Sequence, residues 1–210
     1  MNSNIDYTLY LVTDRTLMRA ATLEQAVEQA IVGGCSVVQL REKTADSRAF
    51  YDQALSIKRV TDAYGVPLII NDRVDIALAV NASGVHVGQS DLPAAVVRRI
   101  LGPEKILGVS VGSVAEARQA ERDGADYLGV GAMYATATKT DAAVVSFETL
   151  QQIRRAVSIP NVVIGGINET TAPRFTKRET DGLAVVSAIL AQPDVTAAAR
   201  RLRAIFEGAR

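Results

Sequence analysis

The sequence predicts an α/β fold, a (β/α)8 TIM barrel forming a single domain over 1–210. Three observations lead there. Short β-branched runs alternate with longer segments of helical period from Leu9 onward, and the runs number eight. Each run is nearly continuous in apolar residues, the composition of a parallel strand buried on both faces. The 210 residues are about what one barrel needs. Alternation alone also fits an open doubly wound sheet, but eight units in so short a chain favour closure.

The strand candidates begin at Thr8 (TLYLVTD), Ser36 (SVVQLRE), Pro67 (PLIIND), Gly84 (GVHVGQ), Lys105 (KILGVSV), Ala125 (ADYLGVG), Asn161 (NVVIGG) and Gly182 (GLAVVSA). Between them lie the helical segments LEQAVEQAIVGG, SRAFYDQALSIKRVTDAYG, AAVVRRILG, VAEARQAERDG, FETLQQIRRAV and VTAAARRLRAIFEG, several ending at a glycine suited to a left-handed cap. Asp91-Leu92-Pro93 and Ser146-Phe147-Glu148 read as helix entries with an N-cap residue. The third helix, Val74 to Ala82, is short, and the seventh, ETTAPRFTKRET, contains Pro173. ATATKTDAA, after the sixth strand, has the small and hydroxyl residues of a lid.

Apolar residues make up 48% of the chain and charged ones 22%, enough for a large core and against disorder. The 23 basic residues balance 23 acidic ones, so no global field draws nucleic acid or a membrane surface, and any anion site has to be built locally. A single cysteine, Cys35, allows neither an internal disulfide nor a cysteine cluster. Met1 to Asp6 lacks the basic start and apolar run of a signal peptide, and no stretch approaches the ~18 apolar residues of a membrane span. The expectation is a cytoplasmic protein acting on small molecules, with a homo-oligomer left open.

In a barrel of this kind the active site lies at the C-terminal ends of the strands. Those ends carry Gln39, Arg41 and Lys43; Asn71 and Asp72; Gln89 and Asp91; Ser110; Thr136, Thr138 and Lys139; Gly165-Gly166; and Val186-Ser187. A lone loop aspartate most often caps the helix that follows. Asp72 and Asp91 on neighbouring strand ends, facing several cations, instead suit a hard oxygen-bound cation, naturally Mg2+. Arg41 and Lys43, two apart on a strand, project to one side, and Lys139 can close over them to cradle a diphosphate. Gly165-Gly166 and Ser187 suggest a second phosphate site made from backbone amides, although the glycine pair also suits a plain tight turn. The only histidine, His86, and Cys35 both read as core residues, so catalysis through a cysteine or histidine nucleophile is not expected.

Over nearly its whole length the chain resembles the thiamine phosphate synthase family. The matching segments are QLREK (Gln39 to Lys43), Asn71-Asp72, GVHVGQSD, LGVS, GADYLGVGAMY followed by TATK, IGGIN and VVSAI. The resemblance implies condensation of an aminopyrimidine diphosphate with a thiazole phosphate, or its carboxylated form, to give thiamine phosphate and pyrophosphate. It assigns Gln39, Leu40, Arg41, Glu42, Lys43, Asn71, Ser110 and Lys139 to the pyrimidine diphosphate, with Arg41, Lys43, Ser110 and Lys139 catalytic. Thr136, Ala137, Thr138, Gly166, Val186 and Ser187 correspond to the thiazole phosphate site, and Asp72 and Asp91 to magnesium. Ala135 stands where the family usually has proline, and Val111-Gly112-Ser113 replaces its commoner Ala-His-Ser or Ala-His-Thr. A thiazole tautomerase on the same barrel, or a regulatory barrel that only binds thiazole phosphate, are the rival readings. Neither has a reason to keep the diphosphate cradle together with both carboxylates.

Overall fold

The computed structural model describes residues 5–135 and 143–208. Eight parallel strands close into a barrel in sequence order: β1 (Leu9–Val12), β2 (Val37–Leu40), β3 (Leu68–Asn71), β4 (Gly84–Val87), β5 (Ile106–Val111), β6 (Tyr127–Val130), β7 (Asn161–Val163) and β8 (Gly182–Val185). Closure is direct, with Leu9, Tyr10 and Leu11 in register with Leu183, Ala184 and Val185. All eight strand candidates are present, each shorter than its run, and most of the runs continue past the strand into the loop that carries chemistry.

Strand alternation divides the apolar residues into two cores. Leu11, Val38, Ile70, Val85, Leu107, Leu128 and Val163 face outward against the helices. Tyr10, Val12, Val37, Ile69, Ile106, Tyr127, Val162 and Ala184 fill the interior. The helices are α1 (Leu23–Val32), α2 (Ser47–Ala63), α3 (Val74–Ala79), α4 (Ala94–Leu101), α5 (Val114–Arg122), α6 (Phe147–Ala156), α7 (Ser187–Leu190) and α8 (Val195–Gly208). Thr22, Asp46, Ser113 and Ser146 cap α1, α2, α5 and α6 by accepting a backbone N–H three residues on.

Three expectations need correction. The segment ETTAPRFTKRET forms only a 3-10 turn, Ala172–Arg174. Its polar side chains take the backbone groups a helix would use: Asn168 accepts from Thr170 N–H and Thr171 N–H, and Glu179 accepts from Thr176 N–H. Buried Phe175 fills the space, with ring centroids 6.1 Å from Phe147 and 6.3 Å from Tyr134. Asp91 does not cap α4: Pro93 occupies the N-cap, and the Asp91 carboxylate instead accepts the Gly88 N–H at 2.7 Å. The run GLAVVSA ends as strand at Val185, and Ser187 begins the short α7.

Candidate active site

Alternation sets which strand residues look into the barrel. Counting by twos from the interior residues Val37, Ile69 and Ile106 reaches Gln39 and Arg41, Asn71, and Ser110, and the same parity turns His86 inward between outward-facing Val85 and Val87. These residues line a cavity of about 440 Å³ open at the C-terminal end of the barrel. Its floor is polar despite its burial. Gln39 Nε2 donates to Tyr10 Oη at 2.8 Å, and the Tyr10 and Tyr127 hydroxyls lie 2.7 Å apart. Tyr127 Oη meets His86 Nδ1 at 2.9 Å, and His86 Nε2 meets Ser110 Oγ at 2.8 Å. Burial pushes both phenols well above the usual tyrosine range, so they keep their protons at neutral pH.

Charge gathers at the rim. Lys43 Nζ lies 2.5 Å from Asp72 Oδ2, and Arg41 stands 3.7 Å from Asp14. Asp72 adopts a left-handed backbone, φ 62°, which costs an L-residue about 1–2 kcal/mol, least for Asp and Asn. Its N–H donates to the His86 carbonyl at 2.8 Å, and the Lys43 contact holds its carboxylate. Burial, with the neighbouring Asp72 carboxylate adding to it, pushes Asp91 above the usual carboxylate range, against the opposing pull of Gly88 N–H and Lys43. Asn71 lies in the same wall, and its Nδ2 is buried and unpartnered among the described residues. Across the mouth, Gly166 has φ 68°, and a Cβ there would lie 2.6 Å from Tyr134 Cβ.

The cavity therefore brings together Gln39, Arg41, Lys43, Asn71, Asp72, Asp91, Ser110, Gly166, Val186 and Ser187. Leu40 and Glu42 are not part of its lining. The Leu40 side chain packs outward into the shell, and Glu42 turns to Arg15, 2.7 Å away. Thr136, Ala137, Thr138 and Lys139, and most of the lid they were expected to form, lie outside the described residues. The sequence reading missed Tyr10 and Tyr127 and placed His86 in the core. The period of two along GVHVG and ADYLGVG carries the signal that would have found His86 and Tyr127. Cys35 is buried away from the cavity, and burial pushes its thiol up.

A closed eight-stranded barrel that sets cations and paired carboxylates around a polar well at the C-terminal end of its strands has the form of a barrel enzyme for small molecules. The comparisons give the class a family. The family model for thiamine monophosphate synthase matches residues 9–189. A thiamine-phosphate synthase of Ruminiclostridium cellulolyticum is 64% identical over 206 residues, covering 98% of each chain. That of Chloroflexus aurantiacus is 54% identical over 202 residues, covering 96% of this chain and 93% of its own. The solved structure of a thiamine phosphate pyrophosphorylase from Pyrococcus furiosus superposes with a TM-score of 0.89 at 40% identity, covering 98% of both chains. The chain belongs to the thiamine monophosphate synthase family, whose members are transferases of thiamine biosynthesis.

Proposed function

We propose that the chain joins 4-amino-2-methyl-5-hydroxymethylpyrimidine diphosphate to 4-methyl-5-(2-phosphoethyl)thiazole, or its carboxylated form, giving thiamine phosphate and pyrophosphate. The observation that carries this reading is the convergence of Arg41, Lys43, Asp72 and Asp91 on one side of a single cavity with Gly166 and Ser187 also in its lining. That arrangement suits two anionic groups held apart.

Asp72 and Asp91 fit a magnesium ion. They are two oxygen donors close enough for one to raise the other's pKa, a repulsion that a divalent cation would relieve. Bound there, magnesium would supply positive charge to the departing diphosphate. Arg41 and Lys43 would add fixed charge to the same oxygens, with Asn71 in the adjoining wall. The C–O bond to the pyrimidine methylene breaks first, with the electron pair leaving on pyrophosphate. The electron-rich aminopyrimidine bears the positive charge until the thiazole nitrogen lone pair forms the C–N bond. No protein nucleophile is needed, in keeping with a buried Cys35 and a His86 whose ring nitrogens both face hydroxyl partners.

The test is pyrophosphate release from the purified chain. Release should require the pyrimidine diphosphate, the thiazole phosphate and magnesium together. Rearrangement of the thiazole phosphate alone, without pyrophosphate release, would establish the tautomerase reading instead.

A further inference from the structure

The barrel interior links polar side chains into a row whose internal order the reaction alone does not explain. Gln39, Tyr10, Tyr127, His86 and Ser110, from five different strands, join hydroxyl, imidazole and amide groups into one row across the barrel. Polar side chains in an apolar interior are costly unless each is satisfied, so such a row has a defined proton arrangement.

Two senses of donation satisfy every member of the row, and the Gln39 amide as placed gives the first of them. An amide nitrogen only donates, so Tyr10 accepts from Gln39 Nε2. The Tyr10 proton then goes to Tyr127 Oη, and the Tyr127 proton to His86 Nδ1. A neutral imidazole that accepts at Nδ1 carries its proton on Nε2 and donates it to Ser110 Oγ. Ser110 has by then accepted from the imidazole, and its own proton is directed elsewhere. In the reverse sense, Gln39 would present Oε1, and Ser110 would donate its proton to His86 and offer the cavity only lone pairs.

The surrounding backbone keeps this row in place. Gly108 lies in register with Tyr127, and a Cβ there would fall 2.2 Å from Tyr127 Cζ. A Cβ at Gly129 would come within 3.0 Å of His86 Cε1. Both rings occupy volume that side chains at 108 and 129 would otherwise take.

We propose that Tyr127 and His86 are positioning residues that hold the imidazole proton on Nε2 and so turn the Ser110 hydroxyl proton into the cavity as a hydrogen-bond donor. What that donor meets, the oxygen of the departing diphosphate, rests on the transferase reading; the tautomer does not. Neither residue is required to exchange a proton with substrate. Their contribution is a Ser110 whose proton is not spent on the imidazole and is free to donate at the place where negative charge develops.

The chain has one histidine, so the proton can be located without assignment ambiguity. Protein labelled with 15N-histidine, examined by long-range 1H–15N correlation without substrate, should show a single neutral tautomer protonated at Nε2, with Nδ1 shifted as a hydrogen-bond acceptor. A proton on Nδ1 overturns the proposal with no variant needed. In Tyr127→Phe the Nδ1 resonance should move to that of a nitrogen without a hydroxyl donor. Its kcat for pyrophosphate release should fall about tenfold while both KM values stay within about twofold, the signature of a group acting in the transition state. A wild-type His86 spectrum in that variant, or a shifted spectrum with unchanged kcat, overturns it equally. Failure of the transferase reading would appear separately, as wild-type protein that releases no pyrophosphate whichever tautomer is found.

Discussion

Gly108→Ala puts one methyl group where the barrel has no room for it. An ideal Cβ at 108 lies 2.2 Å from Tyr127 Cζ and 2.3 Å from its Oη, so the ring has to retreat by roughly 1 Å in an interior packed as densely as a crystal. Tyr127 is fully buried, and its hydroxyl sits 2.7 Å from Tyr10 and 2.9 Å from His86, so retreat strains the packing and stretches two hydrogen bonds together. Overpacking costs about 1–3 kcal/mol and a buried polar group left unmade about 1–3 kcal/mol, so with both hydrogen bonds weakened the substitution costs at least about 3 kcal/mol. For a domain of this length that lowers Tm by about 10 °C. Urea denaturation followed by circular dichroism measures it directly. Gly65→Ala is the control, since Gly65 has φ 66° with nothing within 4 Å of its Cβ, and its cost is about 1 kcal/mol of backbone strain alone. A Gly108→Ala protein no less stable than Gly65→Ala would refute the packing argument.

Two further predictions concern charge. Asp91→Asn should lower pyrophosphate release by about 100-fold at saturating substrates while leaving Tm equal or higher. The folded Asp91 carboxyl lies above its usual range through burial and then Asp72, so its ionised form opposes folding, and stability falls as pH rises through that raised value. A clear drop in Tm in the variant, measured by calorimetry at neutral pH without magnesium, would contradict this. Ser56→Ala removes the 2.6 Å hydrogen bond to Glu24 that ties α2 to α1 and should cost about 1 kcal/mol at pH 7. That hydrogen bond, foremost among the causes, holds the Glu24 carboxyl below its usual range. The stability it brings is therefore present above the unfolded value and lost as pH falls through the folded one, so the difference from wild type should shrink below about pH 4.

The barrel was legible because buried parallel strands write themselves as unbroken apolar runs, and PLIIND or NVVIGG leave no other efficient way to bury both faces. The charged rim was legible for a related reason: Arg41, Asp72 and Asp91 follow the strand ends, where a barrel has to place its function. The floor was harder to read. The period of two sets His86 opposite in facing to Val85 and Val87, but which of the two faces is the cavity is settled by its register with Asn71 and Gly108, a non-local fact. Asp91 illustrates the opposite limit. It has the local form of a helix cap, yet the turn at Gly88 claims its carboxylate first. The ETTAPRFTKRET segment failed as a helix because Asn168, Thr176 and Glu179 bind the backbone more locally than a helical ladder does.

The pairing of β1 with β8 also bears on how the chain is made. During synthesis the first strand emerges with one partner available at once and the other only when nearly the whole sequence has been translated. Until then its free edge exposes unpaired amides and carbonyls to any passing strand. Ring closure is thus the contact with the longest loop to close, and it comes last by construction. Slower translation would lengthen the interval in which β1 has only one of its two partners.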